Sequence, residues 1–314
     1  MQRREAIYNL VIVQDAAQQD PADWLAIKDK IERDAPDIDV RIAANREPNL
    51  AISRWQVQRP SLVFSPCLLV GYAPPGGAVF SGQPLGKDEQ LRRLASIGVP
   101  IPKSAMLSPA SSFDPGEWGS YVIVKPIRSH SGRGVRLFRS VEVRDRYDEV
   151  AAGSPTGTLV QTFIDHSEDG YPTEYRVLTM LGRALYCARN SWGIRLRPLD
   201  EIAADPSGVI ASNDKTQGGR IRSVANDADI IALGERAHEA FPECAILGVD
   251  IIRDVTSGKL YVLEVNPYGD CWHFSSPLAK RRFTPEHVRD LYAQFNALDR
   301  AAELLIDRTR AEAR

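Results

Sequence analysis

The N-terminal part of the chain consists of short apolar runs and one segment whose apolar residues have helical spacing. Ile7–Val13 is a short apolar run of the length of a strand. Pro21–Arg33 places its large apolar residues on one face of a helix. Val40–Ile42 and Leu62–Phe64 are two further apolar runs. Because strands that alternate with helices favour a parallel arrangement, this part of the chain predicts a β-α-β unit.

Two apolar runs in the C-terminal third of the chain are separated by a short turn sequence. Gly248–Asp254 is followed by Thr256–Gly258, which is a turn signal, and then by Lys259–Val265. Two runs joined by so short a connection predict a β-hairpin. Pairing of its strands can set Asp250 beside Glu264 among apolar neighbours. Isolated acids usually lie in solvent, but a buried acid needs a cation or a hydrogen-bond donor.

The end of the second run carries two oxygen-bearing side chains, Glu264 and Asn266, before Pro267 ends the strand. Side chains two residues apart on a strand face the same way, so the carboxylate and the amide share one side. Mg²⁺ prefers oxygen ligands of these kinds. Together with Asp250, these residues predict a Mg²⁺ site, for which Mn²⁺ is an alternative ion. The competing interpretation is a solvated polar face of the hairpin.

A second chemical feature is a glycine- and serine-rich loop between two predicted strands. Tyr121–Lys125 is an apolar run ending in a lysine, Ser129–Gly134 is the loop, and Val135–Phe138 is the next run. The N–H groups of such a loop can bind phosphate oxygens, and a buried lysine needs an anionic partner. A flexible turn is the competing interpretation. The chain has neither a P-loop motif nor a Rossmann fingerprint, which excludes two common kinds of nucleotide site.

Composition and charge narrow the functional classes further. The chain has 314 residues, of which 43% are hydrophobic, and a formal net charge of −2. This length predicts more than one subdomain, and so small a charge gives no steering towards nucleic acid or an anionic membrane. The chain shows no long uninterrupted apolar window and no signal-peptide pattern, so we expect a cytoplasmic protein. Its four cysteines lack paired spacing, which is typical of reduced thiols.

Six motifs follow one another in an order that resembles the ATP-grasp enzymes. They are Val124–Pro126, Ser129–Gly134, Thr158–Ile164, Glu174–Leu178, Gly248–Asp250 and Leu263–Pro267. The resemblance extends from about residue 85 to about residue 275. It implies an α/β and α+β fold that holds a nucleotide between two subdomains, preceded by a β-α-β domain with a parallel sheet. It also implies amide-bond formation, in which ATP phosphorylates a carboxylate and an amine attacks the acylphosphate.

The resemblance also suggests a division of the chain into domains. We expect an N-terminal α/β domain at residues 1–82, an ATP-grasp domain at 83–280 and a C-terminal helix at 281–314. Within the ATP-grasp domain, the small subdomain is expected at about 118–165 and the large one at about 166–280. Thr284 is the expected N-cap of the C-terminal helix, which is expected to fray from Arg308 onwards.

The same resemblance assigns nucleotide and metal roles by position. It implies that Lys125 and Arg176 are the catalytic residues, that Lys87 also reaches a phosphate, and that either Asp165 or Glu168 binds the ribose. The full set of expected ATP-binding residues is Lys87, Lys125, Ser131, Gly132, Gly134, Gln161, Thr162, Phe163, Ile164, Asp165 and Glu168. The expected Mg²⁺ ligands are Asp250, Glu264 and Asn266.

Three further residues are candidates for binding the substrates. Arg189 can clamp a carboxylate, although arginines are usually solvated. Asn213 opens the segment Asn213–Gly219, which resembles a stretch of the ribosomal-protein-modifying and glutathione-synthetase-like branches. That segment either closes over the site or is an ordinary polar connection. His273 orients a substrate group, takes a proton from the amine, or is a packed core histidine.

The resulting hypothesis is an ATP- and Mg²⁺-dependent carboxylate–amine ligase that releases ADP and phosphate. Its expected partners are a small-molecule or peptide carboxylate and an amine, without nucleic acid or membrane. A homodimer is the commonest assembly of soluble proteins. Two alternatives stay open: a small-molecule kinase of the same superfamily, and a nucleotide-binding protein without catalysis. The three expected metal ligands argue against the second alternative, because a protein without chemistry has no need of them.

Overall fold

A computed structural model describes residues 6–46, 50–128, 134–151, 157–205 and 219–314 of the chain. The strands are β1 Tyr8–Gln14, β2 Ile38–Ala44, β3 Ser61–Phe64, β4 Ala78–Phe80, β5 Ser104–Met106, β6 Tyr121–Pro126, β7 Arg136–Arg139, β8 Thr158–Thr162, β9 Ser167–Glu168, β10 Tyr171–Met180, β11 Arg183–Trp192, β12 Arg220–Val224, β13 Ile246–Arg253 and β14 Leu260–Asn266. The α-helices are α1 Pro21–Asp34, α2 Leu50–Gln56, α3 Lys87–Ser96, α4 Pro115–Trp118, α5 Tyr147–Ala151, α6 Leu199–Ala204, α7 Ala228–His238, α8 Pro277–Arg282, α9 Pro285–Gln294 and α10 Ala297–Glu312.

The N-terminal sheet is parallel and has the strand order β2-β1-β3-β4. Helix α1 begins where the side chain of Asp20 accepts a hydrogen bond from the backbone N–H of Ala22, with Pro21 at the first helical position. Its apolar face buries Trp24 and Ile27 against the sheet. The predicted β-α-β unit with a parallel sheet is therefore confirmed.

The large sheet is antiparallel, with the strand order β12-β11-β10-β13-β14 and β9 paired to the start of β10. Strands β13 and β14 form the predicted hairpin. Helix α7 packs closely on one face of the sheet, and Gly234 permits this close approach. A Cβ atom at that position would lie only 2.7 Å from the side chain of Val177. The opposite face of this sheet carries the polar residues described below.

The small sheet is antiparallel and has the order β5-β8-β6-β7. Its core is a separate cluster of apolar side chains that includes Trp118, Val122 and Phe138. Together, one parallel and two antiparallel sheets confirm the predicted α/β and α+β fold class. The residue boundaries proposed for the domains stay a prediction. In the described part of the chain, no helix has both the length and the apolar character needed to span a membrane.

One continuous core joins the parallel sheet to the large sheet. It includes Leu10 and Trp24 from the N-terminal part, Leu178 from β10, and Trp272 from the segment after β14. The buried carboxylate of Asp23 on α1 strengthens this junction by accepting hydrogen bonds from Trp272 Nε1 and from the Tyr292 hydroxyl, both at 2.7 Å. The N-terminal part is thus anchored directly to the segment that follows the predicted metal ligands.

The prediction of a single C-terminal helix was wrong. The chain forms two helices, α9 and α10, which are separated at Asn296, where the backbone is left-handed with φ of 50°. Asparagine adopts this conformation more readily than most residues, so the break needs neither glycine nor proline. The expected fraying from Arg308 was also wrong, because α10 continues to Glu312 and Arg310 pairs with Asp37 at 2.7 Å.

Candidate active site

Three charged residues form a row across the large sheet. Arg176 on β10 lies opposite Asp250 on β13, and Asp250 lies opposite Glu264 on β14. Residues directly opposite one another on paired strands present their side chains on the same face. The predicted placement of Asp250 beside Glu264 is confirmed, and the strand order adds Arg176 as a third member.

The guanidinium of Arg176 holds the carboxylate of Asp250 in a two-point ion pair, with N–O distances of 2.6 and 2.7 Å. The amide nitrogen of Asn266 donates to the same carboxylate at 3.1 Å. Burial alone would lower the pKa of Arg176, but the charge and hydrogen bonds of Asp250 outweigh it and raise that pKa well above its ordinary value. Arg176 is therefore a permanent cation at this site.

The other acid of the row, Glu264, is partly exposed and forms an ion pair with Lys87, whose Nζ atom lies 3.5 Å from the carboxylate. Since the amide nitrogen of Asn266 points to Asp250, its amide oxygen is available as a ligand. Two carboxylates and one amide oxygen on one face match the donor preference of Mg²⁺. No cluster of three or more histidines, cysteines, aspartates or glutamates suited to a metal occurs in the described ranges. A third metal ligand beside Asp250 and Glu264 would therefore have to be the amide oxygen of Asn266.

Close packing behind the row depends on Gly248, which lies opposite Asn266 in the hairpin. A Cβ atom at Gly248 would come within 2.5 Å of the sulfur of Cys271. The thiol of Cys271 donates to the carbonyl of Asn266 at 3.2 Å, and burial raises its pKa to about 12. Cys271 is thus a packed thiol that supports the hairpin, and it is not a nucleophile at neutral pH.

Lys125 connects the small sheet to this row. It lies at the end of β6, is only 6% exposed, and donates to Gln161 Oε1 at 3.0 Å and to the carbonyl of Leu263 at 3.4 Å. Burial lowers its pKa to about 8, against the opposing effect of the negative charge of Glu264. Ser104 receives a hydrogen bond from the Gln161 amide at 2.9 Å, which fixes the orientation of that side chain.

The glycine- and serine-rich loop is described only at its last residue. Ser131 and Gly132 lie outside the described residues, as does the substrate candidate Asn213. Gly134 has φ of 73°, and a Cβ atom there would meet the Pro126 ring at 2.9 Å. Both the left-handed backbone and this close approach require glycine at position 134.

The segment Gln161–Ile164 leaves the small sheet at the end of β8 and leads to β9. The backbone N–H of Phe163 donates to the carbonyl of Tyr121 at 3.2 Å. Asp165 accepts a hydrogen bond from the backbone N–H of Ser167 at 2.9 Å, so its carboxylate shapes the following turn. The predicted nucleotide hinge therefore lies where the chain crosses between the two antiparallel sheets.

The structure does not bring Arg189 to the charged row. Arg189 lies opposite Tyr175 in the β10–β11 ladder, so it faces away from its neighbour Arg176 on the other side of the sheet. There it pairs with Glu168 at 2.5 Å, and Glu168 also accepts a hydrogen bond from the Tyr175 hydroxyl at 2.6 Å. Arg189 thus orients Glu168, one of the two ribose candidates, instead of lying beside the expected metal ligands.

His273 is 5% exposed and lies against Tyr186. The Tyr186 hydroxyl is 2.8 Å from the carbonyl of Cys271 and 2.9 Å from Nδ1 of His273. Because the carbonyl can only accept, the hydroxyl donates to it, and His273 donates from Nδ1. Burial, with the positive charges of Arg176 and Arg222, lowers the pKa of His273 well below its ordinary value. Its Nε2 atom is a buried acceptor with no partner among the described residues.

The sequence interpretation missed several residues near the site. Gln90 on α3 accepts a hydrogen bond from the backbone N–H of Val265 at 3.2 Å, which holds β14, the strand of two expected metal ligands, against the helix. Tyr186 fixes the tautomer of His273, and neither contact has a local sequence signal. Arg220 and Arg222 do have a local sequence signal, because two arginines separated by one residue on a strand lie on the same face of the sheet.

Comparison with known families decides the classification. The family described as ATP-grasp domain matches residues 86–268, which is more than half of the chain. The chain belongs to the ATP-grasp family. The matched part of this ATP-grasp protein extends from α3 to the end of β14, so it contains Lys87 and Lys125, which are expected to reach the phosphates, and all three expected metal ligands. The resemblance inferred from the six motifs is therefore confirmed.

Solved structures share the fold of this ATP-grasp protein at low sequence identity. D-cycloserine synthetase DcsG is 16% identical, with a TM-score of 0.52 over 96% of this chain and 99% of that chain. The ATP-grasp ligase PsnB with a minimal precursor is 16% identical, with a TM-score of 0.52 over 98% and 100% of the two chains. PsnB with a phosphomimetic precursor variant, Mg and ADP is 15% identical, with a TM-score of 0.51 over 98% and 99%. No curated protein sequence matches the chain.

Proposed function

We propose that this ATP-grasp protein is an ATP-dependent carboxylate–amine ligase that works through an acylphosphate and releases ADP and phosphate. The observation that supports it most is the row of Arg176, Asp250 and Glu264, which adjoins Lys125 and Lys87. DcsG is named a synthetase and PsnB a ligase, which agrees with this class of reaction.

The charges of the site fit a bound nucleotide. Lys125, Lys87 and Arg176 are three cationic side chains around the two acids Asp250 and Glu264. When bound to the two acids and to an amide oxygen, Mg²⁺ would add positive charge and neutralise phosphate oxygens. Phosphoryl transfer depends mainly on such neutralisation and on alignment, so the protein needs no covalent intermediate of its own.

We further propose how the nucleotide lies. The segment Gln161–Ile164 would contact the adenine with backbone groups, and the loop that ends at Gly134 would cover the phosphates. Of the two ribose candidates, Glu168 is the better one, since Arg189 and Tyr175 hold its carboxylate in a fixed orientation. Asp165 already accepts a backbone hydrogen bond at the turn.

The reaction would proceed in two steps, formation of the acylphosphate and attack of the amine on it. A carboxylate oxygen of the acid attacks the γ-phosphorus, and ADP leaves with the electrons of the broken P–O bond. An amine nitrogen then attacks the acyl carbon, loses a proton, and phosphate leaves. Arg176 would stabilise the transferred phosphoryl group, because its guanidinium lies beside the proposed metal ligand Asp250. A cytoplasmic location and a homodimer stay predictions.

Trapping of the acylphosphate tests the proposal without knowledge of the amine. Mg·ATP, a pool of carboxylic acids and hydroxylamine should give a hydroxamate, ADP and free phosphate in equal amounts. Glu264→Gln and Lys125→Ala should abolish all three products. Glu243→Gln is a matched control, since Glu243 has similar exposure and also pairs with a cation, Arg93. ADP without hydroxamate or free phosphate would instead show a kinase, and nucleotide binding without ADP would show a binding protein.

A further inference from the structure

A second row of polar residues lies beside the charged row on the same face of the large sheet. Glu174 on β10 lies opposite Asn190 on β11, which lies opposite Arg222 on β12. Arg220, two residues before Arg222, faces the same side and pairs with Glu174 at 3.0 Å. We call Arg220, Arg222 and the adjacent Arg282 the cationic patch. Among the described acids, Glu174 forms an ion pair with one of its three members.

Arg222 is the member of the cationic patch that is partly buried without an ion pair among the described residues. Its guanidinium lies over the ring of Phe283 at 4.8 Å and donates to the backbone carbonyl of Arg282 at 3.3 Å. It forms no ion pair with any acid of the described ranges. Burial, together with repulsion by Arg220 and Arg282, lowers its pKa to about 10. The negative charge of Glu174 opposes this shift only in part. A partly buried guanidinium that is fixed in place without an ion pair is a site that an anion would stabilise.

The cationic patch is too far from the metal ligands to share a ligand group with them. Strand β12 is separated from β13 by β11 and β10, which makes three interstrand steps. At about 4.8 Å per step, the strands of Arg222 and Asp250 are roughly 14 Å apart. Side chains shorten this separation, since Arg220 on β12 reaches Glu174 on β10 across the intervening strand. Two bound anionic groups would therefore lie on the order of 10 Å apart.

His273 adjoins the patch but does not add to its charge. Its Nδ1 atom is committed to Tyr186, and Nε2 is therefore an uncharged acceptor. An anion bound at the patch is therefore recognised by the arginines and not by this histidine, whose Nε2 atom is buried.

We propose that the cationic patch binds a second anionic group of the acid substrate, a carboxylate or a phosphate, about 10 Å from the carboxylate that is activated. The proposal rests on the ligase function proposed above and specifies its substrate class. An extended peptide of about three residues spans this distance at roughly 3.4 Å per residue. An acidic peptide or an elongated dicarboxylate therefore fits, whereas a short acid with a single charge leaves Arg222 unpaired.

Paired acids of equal length test this substrate class. The probes are α,ω-dicarboxylates from glutarate to sebacate, each compared with the monocarboxylate of the same carbon number, with Mg·ATP and hydroxylamine. We expect higher kcat/KM for the longer dicarboxylates. Arg222→Gln should remove this preference by raising the KM of the dicarboxylate about tenfold or more, as expected for loss of a charged hydrogen bond. Arg222→Lys should restore part of it, and the KM of ATP should not change.

The control variant is Arg300→Gln, because Arg300 also lies over a phenylalanine ring, that of Phe295, but away from this face. A second measurement is the thermal unfolding of the Mg·ADP complex, in which sebacate should raise the Tm of the wild type and of Arg300→Gln but not of Arg222→Gln. Equal kcat/KM within each acid pair, an effect of Arg222→Gln on ATP alone, or an equal Tm shift in both variants would overturn the proposal. Absence of hydroxamate with a retained, Arg222-dependent Tm shift would contradict the ligase function and leave the anion site supported.

Discussion

Replacement of Lys125 by methionine should stabilise the protein without nucleotide while it abolishes turnover. Lys125 is almost fully buried, and in the absence of phosphate its main partners are a side-chain amide and a backbone carbonyl. Its pKa falls from 10.5 to about 8 on folding, which is about 2.5 pKa units. At 1.36 kcal/mol per unit, the buried charge destabilises the folded state by about 3 kcal/mol at neutral pH.

The net gain from Lys125→Met is smaller than this value. The substitution leaves Gln161 Oε1 without its donor, which costs about 1 to 2 kcal/mol. We therefore expect the free energy of unfolding at pH 7 to rise by about 1 to 2 kcal/mol. Lysines that bind phosphate in a dry site commonly impose such a conflict between stability and activity.

The pH dependence of the stability difference between the wild type and Lys125→Met is the decisive test of the environment of Lys125. A lysine whose folded pKa is lowered destabilises the folded state fully below that pKa. The penalty is relieved as the pH rises from about 8 towards 10.5, because the unfolded chain then binds more protons. Between pH 7 and pH 9.5 the advantage of Lys125→Met should shrink by about 2 kcal/mol.

Urea unfolding of the wild type and of Lys125→Met at several pH values measures this difference directly. Titration of other groups, such as buried cysteines, affects both proteins alike and cancels in the comparison. A stability difference that stays constant from pH 7 to pH 9.5 would refute the assigned environment of Lys125, whatever its sign at neutral pH.

Four further outcomes follow from the same contacts. The affinity for Mg·ADP, measured by calorimetry, should fall up to about tenfold per pH unit above pH 8 in the wild type but stay flat in Lys125→Met, since phosphate favours the charged lysine. Asp250→Asn should cost about 1.5 to 3 kcal/mol in urea unfolding because it leaves the partly buried guanidinium of Arg176 without its counter-charge. Glu264→Gln, at a partly exposed pair, should cost about 1 kcal/mol or less, although both variants lose ADP formation. Gly248→Ala should lower stability by about 1 to 3 kcal/mol, and Cys271→Ala in the same chain should recover part of that loss, while independent losses would contradict the close contact.

The parts of the site that the sequence predicts are those set by local periodicity. The β13–β14 hairpin needs only one turn and two alternating strands, so Asp250, Glu264 and Asn266 could be brought together without knowledge of the rest of the fold. The ion pair between Arg176 and Asp250 depends on β10 lying next to β13, which is a pairing across a long stretch of chain.

Other features depend on information that local periodicity does not contain. Arg189 and Arg176 lie on neighbouring strands, and the sheet register alone places them on opposite faces. The cationic patch requires β12 to add to the edge of the large sheet beyond β11. The break between α9 and α10 was missed because Asn296 lies within an apolar stripe that continues in register, and no proline or glycine marks it.

The shared core between the parallel sheet and the large sheet has a mechanical consequence. Asp23 and Trp272 join these two sheets through one core. The small sheet has its own core and is joined to them through connections such as residues 163–166 and through helix α6, whose Ile202 packs against Leu137. The contact of Lys125 with Leu263 therefore joins the small sheet to the large sheet at the candidate site. Swinging the small sheet outwards breaks that contact and exposes the ammonium to water. Movement of the small sheet, nucleotide binding and protonation of Lys125 are thus coupled equilibria: burial alone favours loss of the proton, and a bound phosphate favours its retention.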